Sequence, residues 1–370
     1  MSSVWLPCGD YHQNYGEDQG WWQSRLIKSK MLLLLALIFI GIPLLSLDPE
    51  YEYWVGVATM IGYTAMGALG VQLLIGFAGL ITLGHAAFIA VGAYTSTLLV
   101  LQFPWPLFFT EWGLAYPISI AVAGVVAGLW SVLFGLPSAK VKGFYLILTT
   151  MAAQFITVDF ILTQYVSQIG GRGQAFSLPP GTIKIGPWVI DSDVKIYYLM
   201  AVLLTMMVIM LANLLRSKPG RAWVAIRDND IAAEALGINI VWYKLLAFFV
   251  AGFMAGVAGS FWVSNTAALS PEHFPWFWSL WLVGVILIGG VGSIHGAIFG
   301  SIFMVMIMEL LQMAVIPLSE HYPKLLFDFA YIKDMAFGLA ICAFLIYEPN
   351  GLAYRWWQVK NYFNLWPFSY

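Results

Sequence analysis

Long apolar runs recur along the whole chain, and they constrain its fold more than any single motif does. The first is "MLLLLALIFIGIPLLSL", residues 31–47. Crossing the ~30 Å hydrocarbon core of a bilayer takes about 20 mostly apolar residues. Segments of that kind fall at 31–47, 54–76, 80–101, 114–136, 144–166, 197–215, 244–264, 278–289, 294–316 and 335–347. Composition points the same way. The 370 residues are 61% hydrophobic and only 10% charged, where a soluble domain carries about a quarter charged residues. The fold class expected is an all-α polytopic membrane protein of about ten transmembrane helices, within a range of eight to eleven. Glycine-rich broken segments are expected among them, because "LIGGVGSIHGAIFG" reads as a break or re-entry.

Charge gives the topology. With the N-terminus inside, twelve Lys and Arg residues fall in cytoplasmic segments and five in outer ones, and the opposite orientation reverses the bias. Both termini are therefore expected in the cytoplasm. The organisation is a polar N-terminal segment (1–30), a transmembrane domain (31–347) and a C-terminal tail (348–370). An outer loop spans 167–196 and a cytoplasmic loop spans 216–243. No small-residue cleavage site follows the first run, so it reads as a retained span. Trp54, Trp105, Trp112, Trp188, Trp242, Trp276 and Trp356 fall near span ends, as an interfacial belt requires. A net charge of −2 offers no footprint for nucleic acid. Cys8 and Cys342 lie too far apart in sequence and context to suggest a disulfide framework or a zinc site, and no metal site is expected.

The cytoplasmic loop carries "GRAWVAIRDNDIAAEALGIN", Gly220 to Asn239, with five charges in an otherwise apolar chain. Pro219 suits the first turn of a helix, and "RAWVAIR" continues with good helix formers. Asn229 or Asp230 suits a second N-cap, and Gly237 stands where a C′ residue belongs. Ile231–Ala235 and Ala232–Leu236 are i,i+4 pairs that build one small apolar face on a helix about 10 Å long. Such a helix either packs on its own membrane domain or docks into a groove of a cytosolic partner. The docking set would be Arg227, Asp228, Asn229, Asp230, Ala232, Ala233, Glu234 and Gly237.

Polar residues inside spans are the candidates for a translocation path. His85, Gln154, Asp159, Asn265, Glu309 and Gln312 stand out. The path proposed from sequence takes Gly76, Gly79, Gly84, His85, Thr150, Gln154 and Glu309. The three glycines allow close helix packing or an unwound segment. His85 either serves the path or bonds a neighbouring helix. Thr150 and Gln154, at i,i+4, either line a cavity or satisfy one another. "GFAGLITLG" and "GGVGSIHG" share an "LIG"-like approach, which hints at an internal duplication. There is no Gly-x-x-x-x-Gly-Lys-Ser/Thr, so no phosphate-cradling loop, and "GGVGSIHG" lacks the spacing of a dinucleotide fingerprint.

Several stretches together resemble one family. "KPGRAWVAIRDND" runs into "AAEALGIN" and then "YKLLAFFVAGFMAGVAGSFW"; "GALGVQLLIGFAGLITLGHAAFIAVGAYTSTLL" and "LPSAKVKGFYLILTTMAAQFI" precede them; "ALSPEHF", "VILIGGVGSIHGAIFG" and "YEPNGL" follow. Covering most of residues 60–352, they resemble the permease subunits of ABC importers of the branched-chain amino acid family. The resemblance implies half of a membrane channel, paired with a second homologous permease in a bacterial-type inner membrane. It also implies two cytosolic ATPase subunits that use ATP and Mg, and an extracytoplasmic solute-binding protein. No cofactor would be bound by this chain. The solute implied is a branched-chain or other neutral amino acid, with urea or short amides next. One departure from the family pattern lies in "GGRGQAF", where Gly173 and Gln174 replace the usual Asn/Asp-Gly pair. The rival functions are an ion-coupled carrier, which needs more buried ionisable groups than this chain offers, and a membrane enzyme, for which no catalytic cluster appears.

Overall fold

A computed structural model of the chain describes residues 25–44, 46, 48, 51–106, 108–109, 112–139, 143–166, 176–178, 183–319 and 328–365. Nearly all of them are helical. Helix α1 covers residues 25–44 and contains a π-turn at Leu37–Gly41. Helix α2, Glu52–Phe77, ends in a second π-turn at Gln72–Phe77. After α3 (His85–Leu101) and α4 (Ala115–Ala139), α5 covers residues 144–166 and is π-helical from Phe155 onward. Next come α6 (Asp193–Arg216), the two loop helices α7 (Lys218–Asp228) and α8 (Asp230–Ala235), and the long α9 (Ile240–Thr266). Helices α10 (Trp276–Gly289), α11 (Ile294–Ser319), α12 (Phe329–Tyr347) and α13 (Gly351–Leu365) complete the chain. Among the described residues eight helices are long and apolar enough to cross a membrane, and Leu32–Leu44 and His85–Leu101 form two shorter apolar helices.

Several boundaries differ from those expected: α1, α6 and α9 begin four to six residues early, and three other segments differ as well. The third segment begins as a helix only at His85, not at residue 80, because the chain between Ala78 and Gly84 is unwound. Gly79 there adopts φ +69°, and a Cβ at Gly84 would lie 2.1 Å from the Thr150 carbonyl oxygen. The eighth expected segment begins earlier, as α10 at Trp276, after a 3₁₀ turn at Pro271–His273. The last long helix starts at Phe329 and not at 335. Its early charge is accommodated on the helix surface, where the Lys333 ammonium sits 4.7 Å over the Phe329 ring.

The loop between α5 and α6 contains strands that the sequence did not suggest. Phe176–Ser177 (β1) pairs antiparallel with Ala268–Leu269 (β4), just after α9. Lys184–Ile185 (β2) and Trp188–Val189 (β3) form a two-residue hairpin. Residues 170–175, which hold Gly173 and Gln174, lie outside the described residues.

Helix α9 is the axis of the bundle, packed against α3, α4 and α2. Its inward face is built of small residues, and this is what lets neighbouring backbones meet. A Cβ at Gly92 of α3 would lie 2.3 Å from the Gly256 Cα. Ser131 of α4 donates to the Phe248 carbonyl of α9 at 2.6 Å. Without water to drive helices together, close van der Waals contact and such interhelical bonds supply the association. The outer surface is apolar, with Leu32, Leu33, Leu37 and Ile40 of α1 and Tyr331, Met335, Leu339 and Ile346 of α12 all exposed. A patch of that extent is not tolerated in water and suits a hydrocarbon surround.

The corner between α12 and α13 is closed by a two-pronged ion pair. Arg355 Nε donates to Glu348 Oε2 at 2.6 Å, and Nη2 donates to Oε1. The guanidinium holds the Glu348 carboxyl below its usual range.

Gly92→Val should lower the melting temperature of the detergent-solubilised protein, since overpacking at a close approach costs about 1–3 kcal/mol. Gly338→Ala on α12, where nothing lies within 4 Å of the added carbon, should not lower it. Equal melting of both variants with wild type would contradict the packing described.

Candidate functional site

The charged loop folds as two helices with opposite relations to the bundle. Pro219 sits in the first turn of α7. A Cβ at Gly220 would lie 2.1 Å from the Leu215 carbonyl oxygen, so the turn from α6 requires a glycine there. Trp223 is fully buried, and its indole N–H donates to the Tyr243 carbonyl of α9 at 2.7 Å. Ala222 and Ile226 are buried beside it. Thus α7 packs on its own membrane domain.

Helix α8 does not. Asn229 caps it, the side-chain oxygen accepting from the Ala232 N–H at 3.1 Å. Gly237 adopts φ +83° and donates to the Glu234 carbonyl at 2.9 Å, while Ile238 donates to Ala233 at 3.1 Å. That pair of bonds is a Schellman stop. Between the stops Ala233 is buried, whereas Ile231 is 73% exposed and Leu236 81% exposed. The two alternatives for the loop therefore divide between its halves, α7 anchored and α8 presented.

Arg227, in the last turn of α7, faces the glycine breaks. Its Nη1 donates to the Gly76 carbonyl at 2.7 Å, and Nε and Nη2 both donate to Asp228 Oδ1 at 3.1 Å. Its side chain runs across Gly79, where an added Cβ would meet Arg227 Cγ at 2.9 Å. Gly292 lies on the far side, its own added Cβ 3.3 Å from Nη1.

The two glycine-rich stretches that look alike in sequence thus sit against each other. A Cβ at Gly76 would lie 2.7 Å from the Gly292 nitrogen. Gln72, buried in the π-turn that ends α2, joins the breaks directly. Its Nε2 donates to the Gly290 carbonyl at 3.0 Å and to the Ser293 carbonyl at 2.8 Å. Sequence reasoning passed over Gln72 although it lies inside the span 54–76. The rule that singled out His85 and Gln154, an uncharged polar side chain within an apolar run, would have found it.

The remaining polar residues form separate groups. Gly84, His85 and Thr150 meet where α3 begins. Thr150 Oγ1 accepts from the Leu83 N–H at 3.2 Å and donates to the Ile147 carbonyl at 3.0 Å. His85 is fully buried beside Gly70, with Phe88 edge-on at 6.1 Å. The Gly67 carbonyl is close to its ring, but neither ring nitrogen meets hydrogen-bond geometry with a described residue. Gln154 does not pair with Thr150. It donates to the Phe274 carbonyl at 2.9 Å. Ser279, another residue missed, accepts from the Ala86 N–H at 2.9 Å and holds α10 to α3.

Glu309 stands apart from all of these. It accepts from the Tyr53 hydroxyl and lines a cleft of about 230 Å³ with Glu52, Gly56, Val57, Met60 and Asp193. Tyr53 and Gly76 are at opposite ends of α2, roughly 35 Å apart at ~1.5 Å per residue. Carboxylates therefore gather at one end of the bundle, and the glycine breaks with Arg227 at the other. Asp159 and Asn265 are exposed and Gln312 is half-buried. Among the described residues, no group of three His, Cys, Asp or Glu side chains forms a metal site.

A multi-pass helical membrane protein with broken helices and a helical loop presented at one end has the build of a transport permease. The chain belongs to the family described as the branched-chain amino acid transport system permease component, whose model matches residues 53–345. It is similar to the high-affinity branched-chain amino acid transport system permease protein LivM of Salmonella typhimurium and of Escherichia coli. Each is 28% identical over 347 residues, covering 88% of this chain and 75% of the relative. Over a shorter stretch it is 28% identical to the autoinducer 2 import system permease protein LsrC of Photorhabdus laumondii, covering 40% of this chain and 42% of that one. No solved structure matches.

Gln72→Leu should destabilise the solubilised protein by about 1–3 kcal/mol, because it strips two buried carbonyls of their donor. Thermal unfolding followed by tryptophan fluorescence measures the effect. A melting curve unchanged from wild type would remove Gln72 as the tie between the breaks.

Proposed function

We propose that the chain is one permease subunit of an ATP-driven importer that moves branched-chain or other neutral amino acids across a bacterial-type inner membrane. The observation that carries this reading is α8. It is a short helix capped at both ends, with Ile231 and Leu236 turned to solvent, on a loop whose first half is anchored by Trp223. Exposed aliphatic side chains on a charged loop mark a surface that a partner covers. The partners in this reading are two cytosolic ATPase subunits, which bind ATP and Mg, together with a second homologous permease and an extracytoplasmic binding protein. The docking residues are those of α8 and its stops, Asn229 to Gly237, preceded by Asp228, while Arg227 turns inward to the Gly76 carbonyl. The solute path runs past Gly76, Gly79, Gly84, His85, Thr150 and Gln154 toward the Glu309 end.

The likeness to LsrC supports a second reading of the solute alone, in which the same machinery carries a small neutral molecule that is not an amino acid. Competition for uptake separates the two. Excess unlabelled valine or isoleucine abolishes uptake of labelled leucine only in the first.

The importer reading is tested in proteoliposomes. Leucine uptake should require ATP, the ATPase subunits and the binding protein, and should be absent for this chain alone. Uptake by the isolated chain driven by a proton or sodium gradient would overturn it. Within the complete assembly, Glu234→Lys and Gly237→Val should each lower the solute imported per ATP by about 2- to 30-fold, the span of typical coupling changes. Membrane levels of the chain should stay as in wild type. Normal stoichiometry in both variants would remove α8 as the docking element.

A further inference from the structure

The geometry points to Arg227 as the residue that transmits displacement of the loop to both glycine breaks, and so to the place where the bundle can open. The inference rests on the reading of α8 as the surface that receives the ATPase. It goes beyond that reading by giving Arg227 an inward role distinct from docking.

Three observations carry it. First, Arg227 sits at the junction between the two loop helices, one residue before Asp228 ends α7 and two before the Asn229 cap of α8. A push on the N-terminal end of α8 therefore reaches Arg227 within a few residues. Second, its guanidinium is divided between two partners of different character. Nε and Nη2 hold the exposed Asp228 carboxylate, and Nη1 holds the Gly76 carbonyl at the end of α2. A charge-assisted bond of 2.7 Å is stronger than a neutral one, so the link resists being pulled apart. Third, the side chain touches both breaks at once. Its stem crosses Gly79 and its Nη1 lies beside Gly292. Both glycines have positive φ, +69° and +84°, so each marks a backbone turn and not a packed helix.

The breaks are already tied to each other by Gln72. Displacing Arg227 therefore pulls on both together. Trp223, the other anchored side chain of α7, is tied instead to the Tyr243 carbonyl on α9. Arg227 is a positioning residue in this scheme. It touches no solute and acts through the backbone at Gly76, Gly79 and Gly292.

The test uses the complete assembly in proteoliposomes, with leucine as the probe solute. R227M keeps the stem that packs on Gly79 but cannot donate to Gly76. It should retain co-purification of the ATPase and binding-protein-stimulated ATP hydrolysis near wild-type rates. Solute imported per ATP should fall about 2- to 30-fold. R227K, which keeps a cationic donor without the fork, should recover a large part of that ratio. If R227M does not reach the membrane, R227Q is read in its place, since its shorter amide falls short of Gly76. An unchanged import ratio in the variant overturns the inference. Loss of ATPase co-purification also overturns it and makes Arg227 a docking residue. Failure to recover both R227M and R227Q assigns Arg227 to folding and overturns it as well. If the wild-type assembly shows no ATP-dependent uptake, the importer reading itself fails, an outcome distinct from these.

Discussion

A helix that stops inside an apolar body leaves carbonyl groups with no water to receive them, and the whole site is arranged around that constraint. Unpaired backbone groups at membrane depth cost several kcal/mol, so irregular backbone there survives only where side chains supply donors. At the end of α2 the Gly76 carbonyl takes a guanidinium N–H from Arg227. Across the gap, the Gly290 and Ser293 carbonyls share the amide of Gln72. Two long polar side chains thus supply the donors that two interrupted helices need. The glycines are the complement of this arrangement, since the donors reach their carbonyls only where no Cβ stands in the way.

The same economy gives the bundle two unlike ends. Glu52, Asp193 and Glu309 line a cleft where α2, α6 and α11 approach one another. At the other end of α2 lie the breaks, the Arg227 guanidinium and the loop helices. Between them runs α9, whose glycines and alanines let neighbouring helices approach closely. The glycine breaks and the Arg227 contact lie where helices begin, end or unwind, which is where the backbone itself is polar and where transporters of many kinds place their working parts.

Much of this was legible in the sequence. The long apolar runs marked the helices, and the caps of α8 followed from Asn229 and Gly237 because each residue type has one strong local reason to stand where it does. The unwound stretch before His85 was harder to place. Its glycines announced a break, but the exact start of α3 depends on the Thr150 carbonyl, which lies on a helix some sixty residues later. The partners of Gln154 and Arg227 were out of reach for the same reason. A side chain's chemistry can be read locally, while the carbonyl it meets, Phe274 in one case and Gly76 in the other, is decided by tertiary packing. The charged loop illustrates both sides. Its amphipathic pattern is visible in one dimension, yet only Trp223 buried against α9 shows which half is anchored.

The π-helical second half of α5 has a consequence for how such chains diverge. A π-turn takes up more residues than an α-turn, so each one acts as a single residue inserted into an otherwise regular helix. Along residues 155–166 Phe155, Ile156, Phe160 and Tyr165 are exposed, while Thr157, Val158 and Leu162 are buried. Removing a residue there would tighten the turn while leaving Gln154 and everything before it in register. This segment, like the end of α2, is thus a place where the length of a span can drift by a residue without disturbing the polar contacts at its other end.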